Sequence, residues 1–296
     1  MPEAPTLLVA GSIALDTIEG RSHRIDDELG GSALYFAMAA SLIMPVKLVA
    51  PVGAADVEQV RSLVRARPID MTGMQVFDAP TYRWQAHEQE GRNIDLGSRD
   101  SIYDLWSPEL PPRYDGWAFV GSVRPDRQLE LLQGLSGASL LAADSMLSYI
   151  RSLPGEASEV LRRARWYFCN QDELEALGGS NPENFRTRWD LEGLVVKLGP
   201  GGATAYTEGR IVHVPALVHR PVVDTTGAGD ALAAGMLARW ISAGGGHDGW
   251  AEALPWGVAC ASLTIEGIGL RAIAQASAET LAARVAEVRE TTLRES

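Results

Sequence analysis

Asp224-Thr225-Thr226-Gly227-Ala228-Gly229-Asp230 runs without a break into Ala231-Leu232-Ala233-Ala234-Gly235-Met236-Leu237-Ala238-Arg239-Trp240. The second stretch is apolar and alanine-rich, the composition of a buried helix. The first is a turn of small residues held between two carboxylates. Such a turn at the start of a helix offers uncapped backbone N–H groups and the positive end of the helix dipole, so it is a site for an anion. Asp230 stands at the mouth of that site. A carboxylate there repels a phosphate unless it has another task, and the natural task is to take the proton of a hydroxyl attacking that phosphate. A lone Asp in this position would otherwise be read as a helix cap.

Outward from this turn, strand and helix patterns alternate along the chain. Residues 6–10, 46–50, 117–120, 139–143, 166–169 and 194–198 are short apolar runs that read as buried strands. Residues 33–43, 56–67, 128–135 and 156–165 read as helices between them. Strands that are apolar on both faces, separated by helices, predict a mostly parallel sheet covered on both sides. Ligands of such folds gather at the carboxyl ends of the strands, where Asp144, Asn170 and Gly199 fall. Two stretches break the rhythm. Residues 16–29 are polar, and residues 81–98 alternate, with Tyr82, Trp84 and Ala86 separated by polar side chains. Alternation predicts exposed antiparallel strands.

The 296 residues, 46% of them hydrophobic, suffice for one large α/β domain or two small ones. A formal charge of −12 argues against nucleic-acid backbones and anionic membranes as partners. It does not exclude ATP, because backbone dipoles and Mg²⁺ can bind phosphates in an acidic protein. Cys169 and Cys260 lack metal-site spacing and read as packed thiols. Arg21 is the first basic residue, and the apolar run 33–46 is interrupted by Ser41 and Pro45, too short to span a bilayer. A soluble, cytoplasmic protein is expected.

Three motifs then appear in order. Gly30-Gly31-Ser32-Ala33-Leu34-Tyr35-Phe36-Ala37-Met38-Ala39-Ala40 resembles the N-terminal glycine-pair signature of the ribokinase/PfkB family of carbohydrate and nucleoside kinases. Asn170-Gln171-Asp172-Glu173 resembles that family's Asn-x-x-Glu motif, and the 224–230 stretch its second signature. The resemblance extends from about Leu7 to about Val288. It implies a ribokinase-like α/β fold over 1–296, with the segments 16–29 and 81–98 forming a small β-sheet lid inserted in the domain. It leaves room for a homodimer joined through the lid.

The resemblance also implies site residues. Asp230 is the catalytic base, and Gly227, Ala228 and Gly229 form the anion hole for the transferring γ-phosphoryl group. Thr226 and Asp224 shape that turn, a region which in the family sometimes binds a monovalent cation. Glu173 is the candidate Mg²⁺ residue, although Asn170 with Glu173 also reads as a helix-capping pair. Lys197-Leu198-Gly199-Pro200-Gly201-Gly202 is similar to the loop beside the ATP phosphates, with Gly199 and Gly202 at the usual glycines. Lys197 stands where Thr is frequent. It either pairs with a phosphate or lies along its strand with the ammonium in solvent. Residues 259–263 match a region that packs on adenine, or are plain core helix.

On the acceptor side, the resemblance implies that Asp16 is the acid that grips two hydroxyls, and that Gly30 and Gly31 allow close approach of the acceptor. Tyr35 replaces a frequent Asn and adds a ring to the hydroxyl. Tyr35, Arg83 and Trp84 could face a sugar, a cyclitol or a nucleobase, or simply pack the lid on the body. Asn93 and Asp144 are further candidates for acceptor hydroxyls, and His87 reads as a surface residue. The expectation is an ATP- and Mg²⁺-dependent kinase of a small polyol. The rivals are a catalytically silent nucleotide-binding or regulatory protein on the same fold, and a Rossmann dehydrogenase. The latter would need glycines that Gly11-Ser12-Ile13-Ala14-Leu15-Asp16 lacks.

Overall fold

A computed structural model describes residues 5–20, 24–89 and 92–295. In chain order the elements are β1 (Leu7–Ala10), β2 (Ala14–Glu19), β3 (Arg24–Gly30), α1 (Ser32–Ala40), β4 (Val46–Gly53), α2 (Val57–Val64), β5 (Ile69–Phe77), β6 (Tyr82–Gln89), β7 (Arg92–Arg99) and α3 (Ile102–Leu105). They continue with β8 (Trp117–Val120), α4 (Pro125–Gly134), β9 (Leu140–Asp144), α5 (Leu147–Ser152), α6 (Pro154–Arg163), β10 (Trp166–Asn170), α7 (Gln171–Ala176), α8 (Pro182–Arg188) and β11 (Gly193–Lys197). The last are β12 (Ala203–Thr207), β13 (Arg210–Val214), α9 (Ala228–Ser242), α10 (Gly249–Thr264), α11 (Arg271–Gln275) and α12 (Ala278–Glu295).

Nine strands form one sheet in the order β13-β12-β11-β10-β9-β8-β1-β4-β5. From β11 to β5 every pair is parallel, and only β12 and β13 run antiparallel at one edge. The apolar runs read from sequence occupy the middle of this sheet. Leu7, Leu8, Val9 and Ala10 of β1 are all fully buried, because helices cover both faces. One core packs α1, α9, α10 and α12 on one face, and the other packs α4, α6 and α8 on the opposite face. Each aliphatic side chain buried in this way stabilises the fold by roughly 1.5–3 kcal/mol.

The alanine-rich run after the glycine turn becomes α9, and its small residues let α10 approach closely. A Cβ on Gly235 would meet the Trp256 carbonyl oxygen at 2.6 Å, and one on Gly257 would meet that of Leu232 at 2.5 Å. The 259–263 segment lies within α10, where Ala259, Cys260, Ser262 and Leu263 are buried. Among the described residues no helix is long and apolar enough to cross a membrane.

A smaller sheet has the order β3-β2-β6-β7. Its strands come from the two stretches that break the strand–helix rhythm, whose residues 21–23 and 90–91 lie outside the described residues. The hairpins β2–β3 and β6–β7 are antiparallel as expected, but they join along β2 and β6 in parallel. The reason is topological: the chain crosses the body of the protein between the two hairpins and re-enters this sheet in the same direction.

Candidate functional site

The strand ends, the glycine turn and the inner face of the smaller sheet converge on one region. Gly227 is the N-cap of α9 at φ 74°, a left-handed conformation that glycine adopts without penalty. The ring of Tyr35 fills the space a Cβ there would need. Asp224 shapes the turn from the other side. Its Oδ1 accepts from the Thr226 amide at 2.9 Å and from the Thr226 hydroxyl at 2.6 Å, and its Oδ2 accepts from the Gly269 amide at 2.9 Å. The loop at Gly269, after α10, is therefore part of the site, and no local signal in the sequence marks it.

Asp230 sits in the first turn of α9. Burial lifts its carboxyl to about 7, with Glu173 adding to the shift and Lys197 opposing it. Lys197 ends β11, and a Cβ on Gly229 would meet its Nζ at 3.0 Å, so the ammonium lies against the glycine turn. The Lys197 side chain is only 16% exposed and lies 3.8 Å from Glu173 Oε2. The ammonium is thus turned into the site and not to solvent, which corrects one of the two expectations for it. Burial alone would lower its pKa, but Glu173, Asp144 and Asp230 outweigh burial and raise it.

Asn170 and Glu173 form the capping pair at the start of α7. Asn170 Oδ1 accepts from the Glu173 amide and Glu173 Oε2 from the Asn170 amide, both at 2.8 Å. Burial raises the Glu173 carboxyl and Lys197 lowers it, for a net rise. Asp144 ends β9 and is 4% exposed, and its Oδ1 has no partner among the described residues. Burial and then Asp230 hold its carboxyl well above the usual range. Its backbone carbonyl is fixed by Gln128 Nε2 at 2.6 Å. Gly199 opens a single 3-10 turn after β11 and Gly202 closes it, and a Cβ on Gly202 would run into the Val214 carbonyl and, at 2.8 Å, the Ala216 amide.

On the smaller sheet, Asp16, Trp84 and Glu28 share one face. Asp16 is 4% exposed, and burial, then Asp224, Asp230 and Glu28, hold its carboxyl well above the usual range. Gly30 packs against both Asp16 and Tyr35, and Gly31 at φ 97° lies against the Ser12 carbonyl. Ser32 Oγ donates to the Ser122 carbonyl at 2.7 Å, and the Ser32 amide donates to Ser12 Oγ at 2.9 Å. These serines brace the glycine pair, a role the sequence did not signal. Asn93 of β7 donates to the Thr226 hydroxyl at 2.7 Å, joining the smaller sheet to the glycine turn.

Arg83 is not brought to the others. As the neighbour of Trp84 it points to the opposite face, where it pairs with Asp27 beside a cavity of about 300 Å³ lined also by Thr17, Gln85 and Arg99. Strand alternation, visible in the sequence, already forbids Arg83 and Trp84 from sharing a face. His87 is exposed on that outer side.

A family model described as pfkB family carbohydrate kinase matches residues 133–276. An ATP-dependent ribose-1-phosphate kinase of Halopiger xanaduensis is 30% identical over 259 residues, covering 84% of each chain. A cytidine kinase of Thermococcus kodakarensis is 27% identical over 248 residues, covering 78% of this chain and 87% of that one. Among solved structures, a Burkholderia thailandensis nucleoside kinase in complex with ADP-inosine aligns with TM-score 0.78 at 19% identity, covering 95% of both chains. A Methanocaldococcus jannaschii nucleoside kinase aligns with TM-score 0.74 at 18% identity, covering 96% of this chain and 99% of that one.

Proposed function

The chain belongs to the pfkB family of carbohydrate kinases, and from that premise we propose an ATP-dependent kinase that phosphorylates a hydroxyl of a sugar, cyclitol or nucleoside, with Asp230 as base. The observation that carries this reading is the convergence at the start of α9. A half-buried carboxyl at Asp230, the start of α9 that no side chain caps, and the Lys197 ammonium meet in one place.

The acceptor hydroxyl lies beside Asp230, which orients it and takes its proton. A phosphoryl group in transfer is loose and strongly charged, so positioning and electrostatic stabilisation supply most of the rate. The start of α9 at Gly227, Ala228 and Gly229 presents the positive end of the helix dipole to that charge, and Lys197 adds a cation beside it. Asn170, Thr226, Gly199 and Gly202 border the ATP side. Asp16, Gly30, Gly31 and Tyr35 border the acceptor side, and Asn93 ties the smaller sheet down over it as a lid. That sheet keeps out water, which would otherwise accept the phosphoryl group.

Mg²⁺ fits the donors present. Glu173 and Asp144 would supply carboxylate oxygens to the ion or its waters, and the unpartnered Asp144 Oδ1 is the kind of atom a cation or its water satisfies. When bound, the ion offsets the charge of the phosphates.

The test is ADP release by the purified protein over a panel of sugars, inositols and nucleosides, with ATP binding measured separately. Asp230→Asn should lower kcat by roughly 10²–10⁴ while ATP still binds. A variant indistinguishable from the parent would overturn the reading and favour a silent nucleotide-binding protein.

A further inference from the structure

The inner face of the smaller sheet carries carboxylates and an indole and, among the described residues, no unpaired cation. Strand register sets Glu28, Asp16 and Trp84 in one row across β3, β2 and β6. Both Glu28 oxygens are taken by Arg271, at 3.0 and 2.7 Å. Arg83 and Arg99 belong to the outer face, and Lys197 lies beyond the turn against Gly229 and Glu173. The Asp16 carboxylate, in contrast, accepts no hydrogen bond among the described residues.

A second group beside it is also unmatched. Tyr35 is 2% exposed and its hydroxyl has no partner among the described residues. A Cβ on Gly30 would touch both Asp16 Oδ2 and, at 3.2 Å, Tyr35 Cε2, so the carboxylate and one ring edge meet at the same glycine. The other ring edge lies on Gly227. Tyr35 therefore spans the distance from the acid to the phosphoryl-side turn. Trp84 flanks Asp16 on the next strand. Its indole N–H donates to Asp95 Oδ1 at 3.1 Å, and it packs against the cluster of Ile18, Ile25 and Ala86 while remaining part exposed.

Resting on the kinase reading above, we infer that the acceptor is an uncharged nucleoside and not a sugar phosphate: Asp16 and Tyr35 take hydroxyls of its ribose, and Trp84 offers a flat face to its base. A vicinal diol supplies the donors Asp16 lacks, and a sugar oxygen can satisfy the Tyr35 hydroxyl. A phosphate on the acceptor would instead face Asp16, Asp224 and Asp230, with Arg271 already paired to Glu28 and Lys197 to Glu173, and like charges so placed are strongly disfavoured. The indole is already pinned, so stacking a base on it orders little that was free.

The experiment measures kcat and KM with ATP for cytidine, adenosine and inosine, for free ribose, and for ribose 1-phosphate and ribose 5-phosphate. Nucleosides should exceed both phosphates by on the order of 100-fold in kcat/KM. Trp84→Ala should raise KM for nucleosides about tenfold more than it raises KM for ribose, and Trp84→Phe should restore nucleoside KM. Turnover of a ribose phosphate equal to that of nucleosides, or a Trp84→Ala effect equal for ribose and nucleosides, overturns the inference. If Asp230→Asn abolishes turnover in either of those cases, the kinase site stands and only the substrate class fails. If Asp230→Asn leaves turnover intact, the kinase site itself fails.

Discussion

Lys197 Nζ lies 3.8 Å from Glu173 Oε2, with the side chains only 16% and 9% exposed. A buried ion pair is broken at greater cost than it was made, because the survivor is left charged and desolvated. Lys197→Met should therefore destabilise the protein by about 3 kcal/mol in urea unfolding. It should also lower kcat/KM for ATP by roughly 10²–10³, the usual effect of losing a group that stabilises developing charge. The double variant Lys197→Met/Glu173→Gln separates the two roles. Stability should return and activity should not; recovery of both would mean that Lys197 serves only the fold.

The Asp230 carboxyl titrates near 7 in the folded protein because of its burial first of all, against 3.8 for an ordinary aspartate. Between those values the folded state holds a proton that the unfolded state has released. The stability linked to this group is thus fully present below about pH 4 and is lost as pH rises through 7. In the proposed reaction the same loss of the proton creates the base, so kcat/KM should rise about tenfold per pH unit below 7 and level off above it. Stability and activity run in opposite directions over this window. Asp230→Asn, which carries no titrating group, should raise the urea midpoint at pH 8 and leave it unchanged at pH 4. Equal effects at both pH values would exclude the buried carboxyl as the cause.

The middle of the large sheet was legible in the sequence because β1, β4, β8, β9, β10 and β11 are apolar on both faces. The edges β5, β12 and β13 were not, since Arg210, His213 and Thr207 meet solvent there and blur the pattern. At the site, the small-residue turn, Asp230 and the Asn170–Glu173 pair could be read because each is local. The clamp from Asp224 to Gly269 spans 45 residues, and the Ser12–Ser32–Ser122 brace joins three separate strand ends. Neither leaves a local trace. The direction of Lys197 likewise depended on which carboxylates the fold would set around it.

Asn93 is the described link by which β7 reaches the glycine turn before α9, through a hydroxyl that in turn donates to Asp224 at 2.6 Å. Asn93→Ala removes one hydrogen bond of about 1 kcal/mol. Acceptor KM should rise about fivefold, and ATP hydrolysis without acceptor should increase as water enters. Amide exchange should quicken in β6 and β7 and stay unchanged in β9 to β11. Unaltered exchange in β6 and β7, with unaltered hydrolysis, would show that the bond does not hold the smaller sheet down.

Gly227 and Tyr35 test the turn itself. Gly227→Ala places a methyl where the Tyr35 ring lies and forces a residue with a Cβ into φ 74°. The left-handed conformation alone costs about 1–2 kcal/mol, and overpacking adds roughly 1–3 kcal/mol. The variant should lose stability on that scale and also lose kcat, because the amides of 227–229 move out of line. Tyr35→Ala opens space, so the double variant should recover the overpacking part and keep the conformational part. Its two effects will then fall short of their sum, as neighbours that share a contact do. Additive effects in urea unfolding would mean that the ring yields freely, and that the turn keeps its shape by the Asp224 hydrogen bonds alone.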